Sequence, residues 1–364
     1  KKSSLINLYV VSSYIYYSLY RMIQAKFVKH TFDFKRPSGT SRGILTTKDS
    51  WFLILTEHGK KGVGECSILK GLSYDDHPTF ETTLRALCDQ INTGQALMDL
   101  TPWPAIKMGY ETALLSLNSA MTYNLFPSLF TQGKAAIPIN GLVWMGSFDY
   151  MKEQIDSLLD REFDCIKIKI GAIDFDEELR LLAQLRNRYS ASTISIRVDA
   201  NGAFGPKEAL GKLDKLSAFE IHSIEQPIAV KQWQLMTDLC KKSPVPIALD
   251  EELIGVFDFE TQSELLSQIQ PQYVIFKPSL LGGFSSTKQW IDLAEKNKIG
   301  WWVTSALESN IGLNSIAQWT YTQDLKLPQG LGTGSLFSNN IDSPMVIRKG
   351  CLWNDNSISW REIF

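Results

Sequence analysis

Cys165-Ile166-Lys167-Ile168-Lys169-Ile170 is a run in which apolar and charged side chains alternate. Strict alternation marks a β-strand, and residues two apart in a strand project to one face, so Lys167 and Lys169 form a pair. Five more short apolar runs end in a polar residue: Ile194-Ser-Ile-Arg-Val-Asp199, His222-Ser-Ile-Glu225, Pro246-Ile-Ala-Leu-Asp250, Tyr273-Val-Ile-Phe-Lys277 and Trp301-Trp-Val-Thr-Ser305. From Lys169 onward the steps are 30, 26, 25, 27 and 28 residues. One strand plus one helix of a parallel barrel takes about that much chain, since eight such units run to roughly 250 residues. Strand ends on the carboxyl side of a barrel meet at one mouth, where barrel enzymes keep their chemistry. The spacing therefore predicts that Asp199, Glu225 and Asp250 converge between two groups of lysines, a divalent-metal site flanked by bases.

Composition narrows the function classes. A chain of 364 residues is long enough for a barrel plus a smaller domain. A net charge of −2 leaves no electrostatic footprint for nucleic acid. The five cysteines (Cys66, Cys88, Cys165, Cys240, Cys351) are far apart and odd in number, which suggests reduced thiols in a cytoplasmic protein rather than a disulfide frame or zinc site. His30, His58, His77 and His222 are scattered and show no ligand spacing.

The start of the chain fits least well. Leu5-Ile-Asn-Leu-Tyr-Val-Val-Ser-Ser-Tyr-Ile-Tyr-Tyr-Ser-Leu-Tyr20 superficially resembles a signal peptide or anchor. Asn7, Ser12, Ser13 and Ser18 interrupt it, and no small-x-small cleavage site follows. A spanning helix wants about 20 mainly apolar residues, which this stretch barely approaches, so no membrane association is expected. The preferred reading is that residues 1–21 are an upstream extension and Met22 is the natural start.

Residues 22–130 read as an α+β capping domain. Ala25 to Phe34 alternates, a polar Lys35–Arg42 loop follows, and Trp51-Phe-Leu-Ile-Leu55 resumes the sheet. Pro78 to about Phe126 reads helical. The barrel, residues 131–340, begins at Ile137–Val143, and Gly330-Leu-Gly-Thr-Gly334 is its last strand and turn. Asp174 with Glu177 three residues later reads as a helix cap. Residues 341–364 are too irregular for another barrel unit and are expected to return to the cap.

Removing a proton from carbon next to a carboxylate requires charge on two adjoining oxygens to be stabilised, and a divalent ion with a base beside it serves that end. Oxygen ligands suit a hard cation such as Mg²⁺. Burying two lysines for structure alone would be costly. Each cation disfavours charge on the other, so their pKa values are expected to fall. Lys277 comes from the opposite wall and could be a second base, an acid, or a fixed cation over a flat anionic intermediate.

In order, Lys167-Ile-Lys169, Asp199-Ala-Asn201, Glu225-Gln-Pro227, Asp250-Glu-Glu252 and Lys277-Pro-Ser279 resemble the muconate-lactonising subgroup of the enolase superfamily. The resemblance implies an α/β fold: a (β/α)7β TIM-like barrel with an N-terminal α+β capping domain completed by the C-terminal tail. It also implies Mg²⁺, with Mn²⁺ as a substitute, on Asp199, Glu225 and Asp250. Lys169 would be the general base, Lys167 would tune it, and Lys277 would face it across a small-molecule carboxylate.

Thr304-Ser-Ala-Leu-Glu-Ser-Asn-Ile-Gly312 and Leu331-Gly-Thr-Gly-Ser-Leu-Phe337 are similar to members that remove water from a cyclohexadiene carboxylate in menaquinone biosynthesis. Dipeptide epimerases of the superfamily usually carry Asp-x-Asp at the Ser305 position, and Ser305-Ala-Leu lacks it. A lyase is therefore expected. Its candidate substrate contacts are Asn201, Ser305 and main-chain groups near Ala306, with Ser38, Gly39, Thr40 and Arg42 of the cap loop. One alternative is racemisation of N-acylamino acids on the same lysines. Another, mechanistically different, is a metal-independent Schiff-base lyase using Lys277.

Overall fold

The computed structural model describes residues 23–40, 43–171 and 173–361, so the extension expected at residues 1–21 and the candidate Arg42 lie outside the described residues. The cap begins as an antiparallel meander of β1 (Gln24–Thr40), β2 (Gly43–Glu57) and β3 (Lys60–Ser67). His58 and Gly59, both with positive φ, make the two-residue turn between β2 and β3. The described part of the expected polar loop, Lys35–Thr40, is instead the far end of a long hairpin. Pairing lapses between Asp33 and Ser38 and then resumes as Ser38↔Leu45, Gly39↔Ile44 and Thr40↔Gly43. In the gap β1 changes partner: Phe34 bridges Phe337, and the Lys35 N–H donates to the Leu336 carbonyl. Pro37, which has no N–H to give, falls where no ladder bond is required.

Two helices, Phe80–Thr93 and Pro104–Asn118, cover this sheet, broken by the left-handed Gly94. The second lies close on β3: a Cβ on Gly64 would stand 1.9 Å from the Gly109 carbonyl oxygen. Only glycine permits that approach. Leu53, Leu55, Leu84, Leu87, Ile106 and Ala113 form the separate cap core.

The second sheet consists of seven parallel strands, neighbour to neighbour in chain order: β5 (Gly141–Val143), β6 (Cys165–Lys169), β7 (Ser195–Asp199), β8 (Ser223–Glu225), β9 (Ile247–Leu249), β10 (Tyr273–Phe276) and β11 (Gly300–Val303). Gln329–Gly330 closes the ring as an eighth, two-residue strand. The Gln329 N–H donates to Pro138 and the Gly330 N–H to Val303, and parallel bridges join Ile139 to Gln329 and Thr304 to Gly330. Pro328, with no N–H, precedes this short strand.

Outside the ring, the helices between strands bury their leucine and isoleucine faces in one large core. Asp174 caps Phe175–Arg188 by accepting from the Asp176 and Glu177 N–H groups. Glu177 pairs with Arg180, while Glu178 reaches back to the Gly171 N–H.

The tail divides. β12 (Met345–Arg348) pairs with β13 (Cys351–Asn354), which pairs in turn with β4 (Ile137–Pro138) at the amino end of the barrel. Phe337 and Ile341 join Phe32, Phe52 and Val63 of the cap, and Trp360 stacks on Tyr123. Among the described residues no helix is long and apolar enough to cross a membrane. Cys66, Cys88, Cys165, Cys240 and Cys351 are all free thiols.

Candidate active site

Parallel register fixes which side chains share the lumen. Lys167 stands beside Arg197 and Lys169 beside Asp199; Asp199 in turn stands beside Glu225. β6 and β10 are four strands apart in an eight-strand ring, so Lys277, next after β10, comes from the opposite wall. One layer deeper, the Arg197 guanidinium lies 3.9 Å from the Trp302 ring centroid and forms part of the floor.

The charged groups predicted to converge do so. The Lys167 ammonium lies 2.8 Å from Asp199 Oδ2 and 2.5 Å from Glu225 Oε2. Lys169 donates to Asp199 Oδ2 at 3.0 Å and to Asn201 Oδ1 at 2.8 Å. Lys277 pairs with Asp250 Oδ2. Two strand ends are held in left-handed backbone geometry, with φ of 44° at Asn201 and 38° at Gln226. Such conformations cost about 1–3 kcal/mol and persist only where surroundings over-determine them. Here the Asn201 N–H donates to Asp199 Oδ1 at 3.0 Å and its side-chain amide to Glu251 Oε1 at 2.9 Å.

Burial works to lower Lys167, but Asp199 and Glu225 outweigh it and hold the ammonium above its ordinary range. Lys277 is raised in the same way, against burial, by Asp250 and Glu225. For Lys167 the lowering expected from a paired cation is thus reversed, because Asp199 and Glu225 both lie in direct contact with its ammonium. Burial would raise Asp199 and Asp250, yet the lysines hold both below the carboxylate range. Burial, with the neighbouring charges of Asp199 and Asp250, pushes Glu225 well above it.

Among the described residues no three His, Cys, Asp or Glu side chains stand as a group with an ion's space between them. The lysine ammoniums take the carboxylate oxygens instead. Two observations nevertheless fit a hard divalent cation. Glu225 Oε1 is buried with no hydrogen-bond partner, and the three acids, with the charges of Asp199 and Asp250 both acting on Glu225, form an all-oxygen donor set.

Above the acids lies a cavity of about 480 Å³ between barrel mouth and cap, into which Lys167, Lys169, Asp199, Asn201, Lys277 and Ser305 open. Strand parity puts Thr304, not Ser305, in line with the inward Trp302, and Ser305 shares a hydrogen bond with Thr333 at 2.6 Å. The Ala306 N–H is occupied, donating to Glu308 Oε2 at 2.7 Å. Ser38 is buried and donates to the Arg36 carbonyl at 3.3 Å. Gly39 and Thr40 close the hairpin ladder, and among the described residues the hairpin's share of the cavity wall is Arg36, Gly43, Ile44 and Leu45.

Sequence reasoning missed Arg36, Lys70 and Trp144, all of which line the cavity. The Trp144 ring centroid is 5.9 Å from the Lys169 ammonium. Trp144 lies just past the first barrel strand, the position that marks the other site residues, and could have been found by that rule.

Comparison with known proteins agrees with this geometry. Residues 150–354 match the family model described as enolase C-terminal domain-like. The chain is 45% identical over 353 residues to an o-succinylbenzoate synthase of Desulfotalea psychrophila, covering 88% of this chain and 95% of that one. The crystal structure of MenC from the same organism superposes with a TM-score of 0.78 at 40% identity, over 91% of this chain and 99% of that one. A muconate lactonizing enzyme from Pseudomonas fluorescens has the same fold, with a TM-score of 0.77 at 23% identity over 94% and 97% of the two chains.

Proposed function

The chain belongs to the enolase superfamily, and on that premise we propose that it is an o-succinylbenzoate synthase, a hydro-lyase that converts 2-succinyl-6-hydroxy-2,4-cyclohexadiene-1-carboxylate to 2-succinylbenzoate in cytoplasmic menaquinone biosynthesis. The observation that carries the proposal is the pair of lysines, Lys169 and Lys277, on opposite walls above three buried acids. The 45% identity over most of both chains supports the choice of reaction.

Asp199, Glu225 and Asp250 would hold Mg²⁺, or Mn²⁺ in its place, whose chemistry is to stabilise negative charge on the substrate's ring carboxylate. Lys169 takes the proton from the ring carbon beside that carboxylate. As an ammonium it then returns the proton to the departing hydroxyl on the same ring face, and water leaves as the ring becomes aromatic. Lys277, kept charged by Asp250, lies on the other side of the ring, where a fixed cation favours a developing flat anion. Lys167, bridging Asp199 and Glu225, holds the two acids together and tunes its neighbour Lys169.

The substrate carries a second carboxylate at the end of its succinyl arm. Arg36 and Lys70 on the cap side of the cavity are exposed, and no ion-pair or hydrogen-bond partner is seen for either side chain among the described residues. Leu45, Leu69 and Trp144 line the wall with them. A cationic rim suits a dicarboxylate and disfavours a peptide ammonium there. Lys169→Ala tests the assignment: turnover is abolished while Mn²⁺ binding, read by electron paramagnetic resonance, stays largely intact. Retained turnover would remove Lys169 as the base.

A further inference from the structure

Away from the lysines, a buried chain of charged groups crosses from cap to barrel. Glu65 in β3 is 2% exposed and accepts four hydrogen bonds. One comes from Ser50 Oγ at 2.7 Å within the cap. Three come from the barrel: Ser309 N at 2.9 Å, Ser309 Oγ at 2.5 Å and Gly312 N at 3.0 Å. A cap carboxylate thus sits on the first turn of the barrel helix Asn310–Tyr321, where free N–H groups and the helix dipole favour an anion. Lys48 in β2 is buried too, donating to Ser50 Oγ at 3.0 Å and Ser67 Oγ at 2.6 Å, with its charge facing both Glu65 and Glu308.

Glu308 is fully buried and joins two active-site walls. Its Oε1 accepts from Ser279 Oγ at 2.5 Å, two residues beyond Lys277. Its Oε2 accepts from the Ala306 N–H at 2.7 Å, one residue beyond Ser305. Between them Leu307 is held at φ 57°, a left-handed conformation costly for a leucine, with its side chain packed among Phe32 and Phe52 of the cap.

We propose that Glu308 is a positioning residue for the reaction, fixing Lys277 and the Ser305–Leu307 wall relative to each other, and that Lys48 and Glu65 make this clamp depend on the cap being seated. A loop with a strained residue at its centre needs such a clamp. Without the carboxylate, Leu307 can relax and the wall moves. A shift of about 1 Å at a reacting site costs on the order of 100-fold in rate. The kinetic arm of the test rests on the proposed function; the exchange arm does not.

In the full-length protein with Mg²⁺, Glu308→Gln is expected to lower kcat by about 10- to 100-fold while KM changes less than about threefold. Ser279→Ala acts through the same contact, so adding it to Glu308→Gln costs no further activity. In Lys48→Met, amide hydrogen exchange at Ala306 is faster than in the parent protein, while the cap amide of Val63 stays protected. This second readout requires no turnover, so it decides the coupling even if the diene is not the substrate. A folded Glu308→Gln protein with kcat within about twofold of the parent, additive loss with Ser279→Ala, or unchanged exchange at Ala306 in Lys48→Met would each overturn the proposal.

Discussion

Gly312→Ala gives a sharp test of the cap–barrel contact because helix propensity and sterics predict opposite signs. Gly312 lies in the barrel helix Asn310–Tyr321, where alanine would ordinarily gain about 1 kcal/mol over glycine. At this position the new Cβ would stand 2.8 Å from Glu65 Oε2 and 2.8 Å from Glu308 Cβ. The Glu65 carboxylate must retreat, which loses its 3.0 Å bond from the Gly312 N–H and loosens those from Ser309. A bond to a charged group contributes about 1.5–3 kcal/mol, and overpacking costs about 1–3 kcal/mol more. Set against the propensity gain, the net loss is about 1.5–5 kcal/mol, which for a chain of 364 residues lowers Tm by roughly 2–6 °C.

Gly211→Ala is the control. Gly211 lies in the helix Ala209–Ser217, and a Cβ placed on it would meet nothing within 4 Å, so the same change there should raise stability by about 0.5–1 kcal/mol. The assay is thermal unfolding followed by circular dichroism on both variants. If Gly312→Ala unfolds at or above the parent temperature, the carboxylate contact with this helix does not stabilise the cap on the barrel.

Three further outcomes follow from the geometry. Lys277→Arg retains a cation beside Asp250, so dehydration persists at a reduced rate; any two-base racemisation of N-acylamino acids, read by solvent-deuterium incorporation, is nearly lost. Arg36→Met and Lys70→Met each raise KM for the succinyl substrate by about two- to fivefold with little change in kcat, and neither affects an analogue whose succinyl carboxylate is esterified. Glu111 is partly buried, and desolvation pushes its carboxyl up to about 7 despite N–H donors on Phe284 and Ser285. A carboxyl with a raised folded-state pKa contributes stability that is full below its unfolded value and is lost as pH rises towards 7. The fold should therefore weaken by about 3 kcal/mol between pH 4.5 and 7 through this group. Asp75, raised by burial to about 7, adds with the same sign. Tm measured across this range for the parent and Glu111→Gln checks it, since the variant's Tm should fall less steeply.

The barrel and its acids were legible because a parallel ring turns an interval along the chain into a layer in space. Lys167, Lys169, Asp199, Glu225, Asp250 and Lys277 all lie within that rule. Ser305 lies one residue off it, because parity counted from Trp302 points Thr304 inward and the chain bends after that residue. The hairpin end reads as a loop in the sequence because Pro37, Ser38 and Gly39 are turn formers, and the partner that replaces β2 there, Leu336–Phe337, is about 300 residues away. Lys48, Glu65 and Glu308 were invisible for a related reason. Each is a single charged residue in a separate element, and only the docking of cap on barrel brings them together. The eighth strand is foreseeable near Gly330, but it is only two residues long and has no periodicity to read.

The most direct test of the proposed chemistry is loss of diene absorbance when 2-succinyl-6-hydroxy-2,4-cyclohexadiene-1-carboxylate is mixed with the protein in Mg²⁺, repeated after EDTA and after Mg²⁺ is restored. Three acids serving a lysine base predict rapid loss of the diene with Mg²⁺, none in EDTA, and recovery on readdition. Unchanged diene absorbance in Mg²⁺, or turnover indifferent to EDTA together with trapping of Lys277 by borohydride and a carbonyl substrate, would contradict it.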